Sequence, residues 1–435
     1  MSTQRDAELA AEVSDCRAVI DCVVVGGGPA GLAASAALTD RGVDHVVLER
    51  GRIGQTLRTQ RWDSFRLNTP SWANTVLGNT VLGNTVLGDQ ARAYYPTGAE
   101  VVGLLEKLAA GAPVHEGVEV TRLVPERDRY ALSVDDGVIR ARTVVVATGH
   151  ENVPRTPALA RAFPDRVAQY HAADYRNPGE LPDGGVLVVG SGQSGCQITE
   201  ELLASGRHVV LATSRVGRVP TPYRGRHILE WAFDTGWFDE RPQDQPDPAM
   251  MRAPIPIFAP GGRALSLQAL ARAGATLAGR LVAVDGKQVS FDGSAPANVA
   301  AGDAFAAHAR AAADEFIARA GVDAPPAEPD DADVPVHLDP PAALDLGDIG
   351  SVVWCTGFTG DFSWLDPTLV DAGGQPRRSG CAAALPGVWY IGLRWLTHRG
   401  SAALLGLPRD AATVGTAVAT HLNTSQRGGL VQVSE

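Results

Sequence analysis

Two short glycine-rich segments carry a residue spacing that can hold a phosphate group. Each has the pattern Gly-x-Gly-x-x-Gly, in which the first glycine allows a tight turn and the second lets the backbone approach a pyrophosphate. The third glycine lets a helix pack closely on a strand, and the phosphate then faces the free N–H groups at the N-terminus of that helix. The glycines are Gly26, Gly28 and Gly31 in the first segment and Gly190, Gly192 and Gly195 in the second.

The first glycine segment lies inside a predicted strand–helix–strand unit. Residues 18–25 and 45–48 are apolar runs rich in β-branched side chains, which are typical of buried parallel strands. A helix is predicted over 29–40, and it begins with Pro29 and Ala30. Glu49 ends the second strand, where a carboxylate accepts hydrogen bonds from ribose hydroxyls. A glycine turn without a ligand is the alternative, but the complete unit favours a dinucleotide site.

The second glycine segment repeats this unit with a different strand end. Strands are predicted at 185–189 and 208–212, and a helix is predicted from Gln193 and Ser194. The second strand is followed by Ser214 and Arg215, with no acid. A carboxylate would repel a 2′-phosphate, whereas a guanidinium can bind it in bidentate fashion, so the residues predict NADPH rather than NADH. A surface arginine without this role is the alternative.

Composition excludes several classes of protein. The 435 residues are 45% hydrophobic and 20% charged, which is the globular range, and the net charge of −11 argues against nucleic acid as a partner. No apolar run approaches the roughly 20 residues of a membrane span, and residues 1–17 lack the apolar core of a signal peptide.

The number and spacing of the cysteines indicate the cellular compartment of the protein. There are five, and they form neither a Cys-x-x-Cys motif nor a zinc-binding spacing, so we expect reduced thiols and a cytoplasmic protein.

The sequence resembles the flavin-containing monooxygenases and their bacterial relatives, including flavoproteins of the cation-transport-associated type. Besides the two glycine motifs, the segment 61–70 resembles the family segment that lies along the flavin. His171, Tyr175 and Arg176 match half of the family fingerprint FxGxxxHxxx(Y/F). The other half departs, because Phe163 lies eight residues before His171 and Asp165 replaces the glycine.

The resemblance covers residues 21–421 and implies an α/β fold with two Rossmann-like domains, the second inserted in the first. The FAD-binding domain would comprise 1–180 and 346–435, and the NADPH-binding domain 181–345. The strand ends at Thr148–Gly149 and Thr356–Gly357 would mark the crossings between the domains.

The resemblance also assigns residues to the cofactors. Asn68 would lie near the reactive edge of the flavin and act in catalysis, although an asparagine closing a turn before Pro70 is the alternative. The proposed cofactor-binding residues are Gly26, Gly28, Pro29, Ala30, Gly31, Glu49, Arg50, Gln55, Arg61, Trp62, Asn68, Val120, Thr148, Gly149, Gly190, Gly192, Gln193, Ser194, Gly195, Ser214, Arg215, Gly400 and Ser401. No metal ligands are expected.

The C-terminal part is expected to contribute a helix N-terminus to the flavin. We predict a final helix over 401–421, opened by residues 397–402, with its free N–H groups facing the flavin pyrimidine. His398 or Arg399 would add positive charge there, although a solvated surface arginine is an equal alternative.

The implied activity is that of a monooxygenase. NADPH would reduce FAD, oxygen would add at C4a, and the hydroperoxide would oxygenate a nitrogen, sulfur or carbonyl centre of a small organic substrate. The alternatives are an NADPH-dependent flavin reductase without oxygen insertion and a redox-sensing flavoprotein with little turnover. Homodimers are common in the group, and the sequence leaves the oligomeric state open.

Two further segments leave their roles open. Residues 223–258 are rich in tryptophan and proline, and Trp231 and Trp237 would either line the substrate pocket or pack in the core. Residues 74–88 repeat NTVLG three times, which favours a tolerated duplication in a surface loop over a functional element.

Overall fold

The computed structural model describes residues 19–77, 80–81, 94–220, 222–258 and 265–431. Most of the NTVLG repeat lies outside these residues, and so does the N-terminal segment 1–17 in which no signal-peptide core was predicted. The described helices are α1 (Pro29–Thr39), α2 (Gln55–Thr59), α3 (Gly98–Ala109), α4 (Gln193–Ala204), α5 (Ile228–Asp234), α6 (Leu267–Arg272), α7 (Ala295–Ala320) and α8 (Leu407–Val431). None of them combines the length and apolarity that crossing a membrane requires.

The described strands form two main sheets and three small ones. In chain order they are β1 (Val19–Val25), β2 (His45–Glu49), β3 (Thr75–Leu77), β4 (Thr80–Val81), β5 (Val114–Glu116), β6 (Arg122–Glu126), β7 (Arg129–Val134), β8 (Gly137–Val146), β9 (Val153–Pro154), β10 (Ala168–His171), β11 (Gly185–Val189), β12 (Val209–Ala212), β13 (Thr276–Ala278), β14 (Leu281–Val284), β15 (Gln288–Phe291), β16 (Ala343–Asp345), β17 (Ile349–Trp354), β18 (Phe358–Thr359), β19 (Arg378–Ser379), β20 (Ala382–Ala383) and β21 (Val388–Tyr390).

The first main sheet is built around buried parallel strands. Its order is β19-β20-β21-β8-β1-β2-β5, with β6 and β7 attached as an antiparallel extension of β8. The strands β21, β8, β1, β2 and β5 run parallel, as their near-continuous apolar sequences predict. Helices α1 and α8 pack on each other beside this sheet, and Gly415 makes that approach possible because a Cβ there would lie 3.0 Å from the Ala37 carbonyl oxygen.

The second main sheet is entirely parallel and has the order β10-β17-β11-β12-β13. Its strands come from both sides of the predicted inserted domain, since Ala168–His171 and Ile349–Trp354 belong to it. Sheet membership therefore places two strands outside the predicted bounds 181–345. Those bounds remain a prediction.

The chain crosses between the two sheets at two adjacent points. After each crossing a short strand forms, and β9 pairs antiparallel with β18. His171 fixes this junction, because its Nε2 lies 3.1 Å from the Gly357 carbonyl oxygen and its ring packs edge-on to Phe358 at 4.9 Å between centroids. The histidine of the fingerprint thus holds the linker together.

One helix start differs from the sequence prediction. The final helix was expected from residue 401, and this was wrong: residues 401–406 form turns and α8 begins at Leu407. The turns form because the Ser401 hydroxyl accepts hydrogen bonds from the backbone N–H groups of Thr397 and His398, both at 3.1 Å.

Candidate functional site

The first glycine turn forms a cradle that only glycine can build. Gly26 adopts φ +110°, and a Cβ there would lie 2.7 Å from the Ala147 carbonyl oxygen. A Cβ on Gly31 would lie 1.8 Å from the Gly26 carbonyl oxygen, whereas one on Gly28 would meet nothing within 4 Å. No side chain caps the N-terminus of α1. The free N–H groups of that helix therefore face open space beside Gly28, which is the arrangement that binds phosphate.

Glu49 ties this cradle to the end of β2. Its Oε2 accepts a hydrogen bond from the Gly27 N–H, and its Oε1 accepts one from the Gly51 N–H, both at 2.8 Å. Each carboxylate oxygen retains capacity for a second donor. A ribose hydroxyl bound beside the glycine turn can use that capacity.

A cavity of about 790 Å³ opens from the first cradle. Ten of the predicted cofactor-binding residues line it: Gly26, Gly28, Pro29, Ala30, Glu49, Arg50, Gln55, Val120, Thr148 and Gly149. Sequence reasoning missed other wall residues from distant parts of the chain, including Thr56, Gln60, His150, Asn152, Asp361, Trp364, Ala402, Leu404 and Leu407. The strand end at Thr148–Gly149 was the one signal that pointed toward His150 and Asn152.

The wall of this cavity contains polar atoms without partners. The side-chain oxygens Gln60 Oε1, Thr148 Oγ1 and Asn152 Oδ1 are buried, and none makes a hydrogen bond within the described part of the chain. Buried polar groups are normally paired, so these atoms indicate a polar ligand. The cavity, the uncapped helix and these oxygens together fit FAD.

Several predicted FAD residues lie outside the cavity wall. Gly31 packs α1 on the turn, as described above. The Arg61 guanidinium carbon lies 5.5 Å from the ring centroids of both Phe65 and Phe358. Trp62 is 5% exposed and packs in the core of the second sheet, beside Tyr175.

Asn68 lies at the start of the second cradle. Its Nδ2 donates to Gln193 Oε1 at 3.4 Å, and Gln193 is the first residue of α4. Gln193 in turn bonds both backbone groups of Phe258, accepting from its N–H and donating to its carbonyl, each at 2.9 Å. Asn68 therefore touches the second cradle and does not line the large cavity.

The second glycine turn has nearly the same backbone geometry as the first. Gly190 adopts φ +104°, and a Cβ there would lie 2.5 Å from the Cys355 carbonyl oxygen. A Cβ on Gly195 would lie 1.8 Å from the Gly190 carbonyl oxygen, and one on Gly192 would meet nothing within 4 Å. The N-terminus of α4 has no side-chain cap, and Ser194 follows Gln193 in its first turn. This cradle also fits a phosphate.

The strand end beside the second cradle carries hydroxyls in place of the acid. The buried Ser191 hydroxyl accepts from the Ser214 N–H at 2.9 Å and donates to the Ser214 carbonyl at 3.1 Å. Arg215 is exposed, and no hydrogen bond or ion pair engages it anywhere in residues 94–220 or the other described ranges. Arg215 is therefore available for a phosphate group.

Arg218, which stands close by in sequence, is not available. It is 4% exposed. Its three guanidinium nitrogens bind Asp303 at 2.8 Å, Asp330 at 2.9 Å and Asp333 at 2.6 Å. This arginine holds α7 and the loop 330–333 to the segment after β12.

The C-terminal loop reaches the large cavity through residues other than the two that were named as cofactor-binding. Ala402, Leu404 and Leu407 line the cavity, whereas Gly400 and Ser401 do not. Ser401 is fully buried and closes the turn described above, and the Gly400 N–H donates to the Phe238 carbonyl at 3.1 Å.

Arg399 binds away from the large cavity. Its guanidinium carbon lies 4.4 Å from the Trp237 ring centroid and 4.7 Å from that of Trp395. It also pairs with the Glu240 carboxylate. The Arg399 side chain is therefore held by Glu240 and two tryptophans, and it does not contribute charge to the large cavity as expected.

A second, smaller cavity of about 60 Å³ is lined almost entirely by apolar side chains. It lies between α5 and α7. Its wall comprises Val219, Ile228, Trp231, Ala232, Thr235, Trp237, Phe258, Phe305, His308, Ala309, Ala312 and Ala313. Because Phe258 is clamped by Gln193, one wall of this cavity is fixed to the second cradle.

The described cysteines are poor redox groups. Burial raises the pKa of the Cys22, Cys196 and Cys381 thiols to about 12 and raises the pKa of Cys355 as well. None of the four forms a disulfide. Across the described ranges no three histidine, cysteine or acidic side chains are grouped so that they could hold a metal ion.

The chain is similar in sequence to known oxidoreductases and monooxygenases. Residues 23–222 match the pyridine nucleotide-disulphide oxidoreductase family. An uncharacterized CzcO-like oxidoreductase of Geobacillus kaustophilus is 27% identical over 408 residues, covering 93% of this chain and 99% of the relative. The indole-3-pyruvate monooxygenase YUCCA1 of Oryza sativa is 31% identical over 190 residues, which are 42% of this chain and 45% of that enzyme.

A solved structure shares the fold over nearly the whole chain. The flavin-containing monooxygenase from Stenotrophomonas maltophilia superposes with a TM-score of 0.63 and 21% identity, covering 93% of this chain and 99% of the other. The predicted α/β architecture with two Rossmann-like units is confirmed.

Proposed function

We propose that this chain, which is similar in sequence to CzcO-like oxidoreductases and in fold to a flavin-containing monooxygenase, uses FAD and NADPH to oxygenate a small organic substrate at a nitrogen, sulfur or carbonyl centre. The observation that carries the proposal is the pair of glycine cradles, which share one backbone geometry and end in different side chains. Two cradles in one chain provide for two dinucleotides, one to bring electrons and one to receive them.

The proposal assigns FAD to the first cradle. The N–H groups at the start of α1 would hold the pyrophosphate, and Glu49 would accept from a ribose hydroxyl. The unpartnered oxygens of Gln60, Thr148 and Asn152 would accept or exchange hydrogen bonds with polar groups of the cofactor. Bound FAD supplies the redox and oxygen-activating chemistry, and the protein supplies its orientation and the exclusion of water.

The proposal assigns NADPH to the second cradle. The uncapped start of α4 would hold its pyrophosphate, and the exposed Arg215 would bind its 2′-phosphate beside Ser214. The absence of an acid at this strand end removes the repulsion that a 2′-phosphate would meet at a residue such as Glu49.

Asn68 keeps its proposed catalytic role, as a hydrogen-bond donor near the reacting oxygen. Its contact with Gln193 supports this role, since it brings an amide of the first unit to the N-terminus of the helix that serves the second. We expect Asn68→Ala to retain NADPH-driven flavin reduction and to release a larger share of hydrogen peroxide. The ratio of product to peroxide measures this, and an unchanged ratio would remove Asn68 from the mechanism.

The small apolar cavity supports a substrate with a compact apolar part. Trp237 and Phe258 line it, and each is bonded or packed to a segment that serves one of the cradles: Phe258 to Gln193, and Trp237 to Arg399. Trp231 is 1% exposed and donates its indole N–H to the Tyr223 carbonyl at 2.8 Å, so it acts both as cavity wall and as core.

Reduction without oxygen insertion is the second candidate. It uses the same cradles and is favoured by the match of residues 23–222 to the pyridine nucleotide-disulphide oxidoreductases. The described thiols argue against disulfide substrates, since burial raises the pKa of all four and keeps them protonated.

The proposal keeps the cytoplasm as the place of action and assigns no nucleic-acid partner, in line with the net charge of −11. The proposal leaves open whether the protein forms a homodimer.

Oxygen labelling separates the candidate functions. Protein loaded with FAD is mixed with NADPH, ¹⁸O₂ and a panel of small sulfides, amines and ketones. A monooxygenase transfers one ¹⁸O atom to a product, and the other atom leaves as labelled water. Stoichiometric hydrogen peroxide with every compound would identify a reductase, and NADPH that leaves the flavin oxidised would favour a redox sensor.

A further inference from the structure

A buried acid and histidine lie behind the loop that lines the large cavity. Asp410 is fully buried in the first turn of α8, and His398 is 3% exposed on the loop before it. Between and beside them lie Ala402, Leu404 and Leu407, which form part of the cavity wall. The pair is buried and does not itself line the cavity, and it flanks the chain segment that forms this part of the wall of the proposed FAD site.

The hydrogen bonds of this pair leave two polar atoms unsatisfied. The Thr397 hydroxyl donates to Asp410 Oδ1 at 2.5 Å, and His398 Nε2 lies 3.7 Å from the same oxygen. Asp410 Oδ2 and His398 Nε2 are both buried without a hydrogen-bond partner among the described residues. Two such atoms are costly to bury, so they indicate a function beyond packing.

The other ring nitrogen of His398 is engaged by the inserted unit. His398 Nδ1 lies 3.1 Å from the Phe238 carbonyl oxygen and 3.0 Å from the Gly400 N–H, which also donates to that carbonyl. Both contacts engage Nδ1, so Nε2 is the ring nitrogen that faces Asp410 in either tautomer. A proton on the Asp410 carboxyl then decides the charge of that group.

The surroundings favour a proton on the Asp410 carboxyl. Burial raises the pKa of Asp410, against the opposing effects of the Thr397 hydroxyl, His398 and the Ser401 hydroxyl. Arg409 on α8 lies close enough to lower that pKa as well, and Arg378 and Cys381 face Asp410 from the segment before β20. These are the titratable and charged groups around the carboxyl.

We propose that His398 and Asp410 are positioning residues that hold one proton at the start of α8 and thereby set the electrostatic potential at the FAD site. The inference rests on the proposed function. The N-terminus of a helix favours negative charge nearby, and an ionised carboxylate in its first turn opposes that effect. Loss of the proton from the pair therefore makes electron uptake by bound FAD less favourable.

The reduction potential of the bound FAD tests this proposal. It is measured from pH 5.5 to pH 9 in the wild type, in Asp410→Asn, and in the control Asp244→Asn, which removes an exposed acid paired with Arg241. We expect Asp410→Asn to shift the potential in the positive direction, by more at pH 9 than at pH 5.5. The wild-type curve should therefore fall more steeply with pH than that of Asp410→Asn, and the control should follow the wild type.

A second variant covers the case in which Asp410→Asn does not fold. His398→Gln retains a polar side chain and removes the titratable ring, so its potential should also depart from the wild type in a pH-dependent way. Potentials equal to the wild type at every pH in all variants that bind FAD would overturn the inference. A wild-type protein that binds no FAD would overturn the proposed function itself, a result distinguishable by the missing flavin absorbance.

Discussion

The two glycine cradles have the same backbone and different neighbours. In each, the third glycine lies so close to the first that a Cβ would stand 1.8 Å from its carbonyl oxygen. The first cradle is tied to a carboxylate through the Gly27 N–H, whereas the second is tied to a serine hydroxyl and followed by an exposed arginine. In the proposed assignment the backbone would hold a phosphate in both places, and the side chain at the strand end would select the nucleotide.

The strongest test of the shared backbone is a methyl group at the third glycine. We expect Gly195→Ala to lower the rate of flavin reduction by NADPH at least about 100-fold, or about 2.8 kcal/mol, because α4 must move away from the turn. Stopped-flow absorbance measures the rate. Gly103→Ala is the matched control, since a Cβ there meets nothing within 4 Å and helix α3 accommodates it. NADPH kinetics unchanged in Gly195→Ala would contradict the assigned cradle.

The two arginines after β12 sharpen the comparison, because the structure gives them opposite roles. We expect Arg218→Ala to lower the free energy of unfolding by about 2 kcal/mol, because it removes the buried guanidinium that joins α7 to the loop 330–333, while Arg310 still pairs with Asp330 and Asp333. Denaturant unfolding measures this. The ratio of NADPH affinity to NADH affinity of Arg218→Ala, measured by calorimetry, should equal that of the wild type. A large fall in that ratio would show that Arg218 binds the 2′-phosphate.

The same ion cluster predicts a pH dependence. Burial by itself would raise the pKa of Asp333, but hydrogen bonds from Arg310 and Arg218 hold it below its ordinary value. A carboxyl whose pKa is lowered on folding stabilises the fold above about pH 4, and that contribution is lost as the pH falls through the lowered value. Thermal unfolding should show a smaller loss of Tm on acidification in Asp333→Asn than in the wild type, and equal losses would argue against the cluster.

Arg215 is expected to act on the nucleotide alone. Arg215→Ala should weaken NADPH binding about 10- to 30-fold, because one charge-assisted hydrogen-bond pair contributes about 1.5–2 kcal/mol. NADH binding and Tm should stay unchanged. Arg241→Ala, which removes an exposed arginine elsewhere in the same unit, serves as the control. An equal loss of affinity for NADPH and NADH would show that Arg215 does not bind the 2′-phosphate.

Glu49 provides the smallest expected effect, on the other cradle. Glu49→Gln keeps one acceptor and loses the charge that holds Gly27 and Gly51, so FAD affinity should fall about tenfold. Fluorescence of released flavin measures it, with Glu106→Gln on the exposed face of α3 as the control. NADPH affinity should not change, and a loss there would show that the cradles do not act separately.

The parts of the site that depend on local sequence were predictable. Short, contiguous patterns predicted both glycine turns, the helices that follow them, and Glu49. The structure places each turn directly before its helix, and it places Glu49 beside the first turn. Thr97 and Glu100 form a capping box at the start of α3, which depends on the same kind of short local pattern.

Placements that depend on long-range packing were not predictable. Trp62 is drawn into the core of the second sheet, and Asn68 meets a glutamine 125 residues away in the chain. The last helix begins late because Ser401 folds back on the loop, which places Leu404 and Leu407 rather than Gly400 and Ser401 in the cavity wall. No local pattern encodes these contacts.

Anaerobic reduction of the FAD-loaded wild-type protein tests the central claim, since it requires both cradles at once. Flavin absorbance is followed after mixing with NADPH or NADH over a range of concentrations. The two-cradle assignment predicts complete bleaching by NADPH, with NADH needing roughly tenfold higher concentration for the same rate. A protein that binds FAD but is bleached by neither nucleotide, or equally well by both, would contradict it.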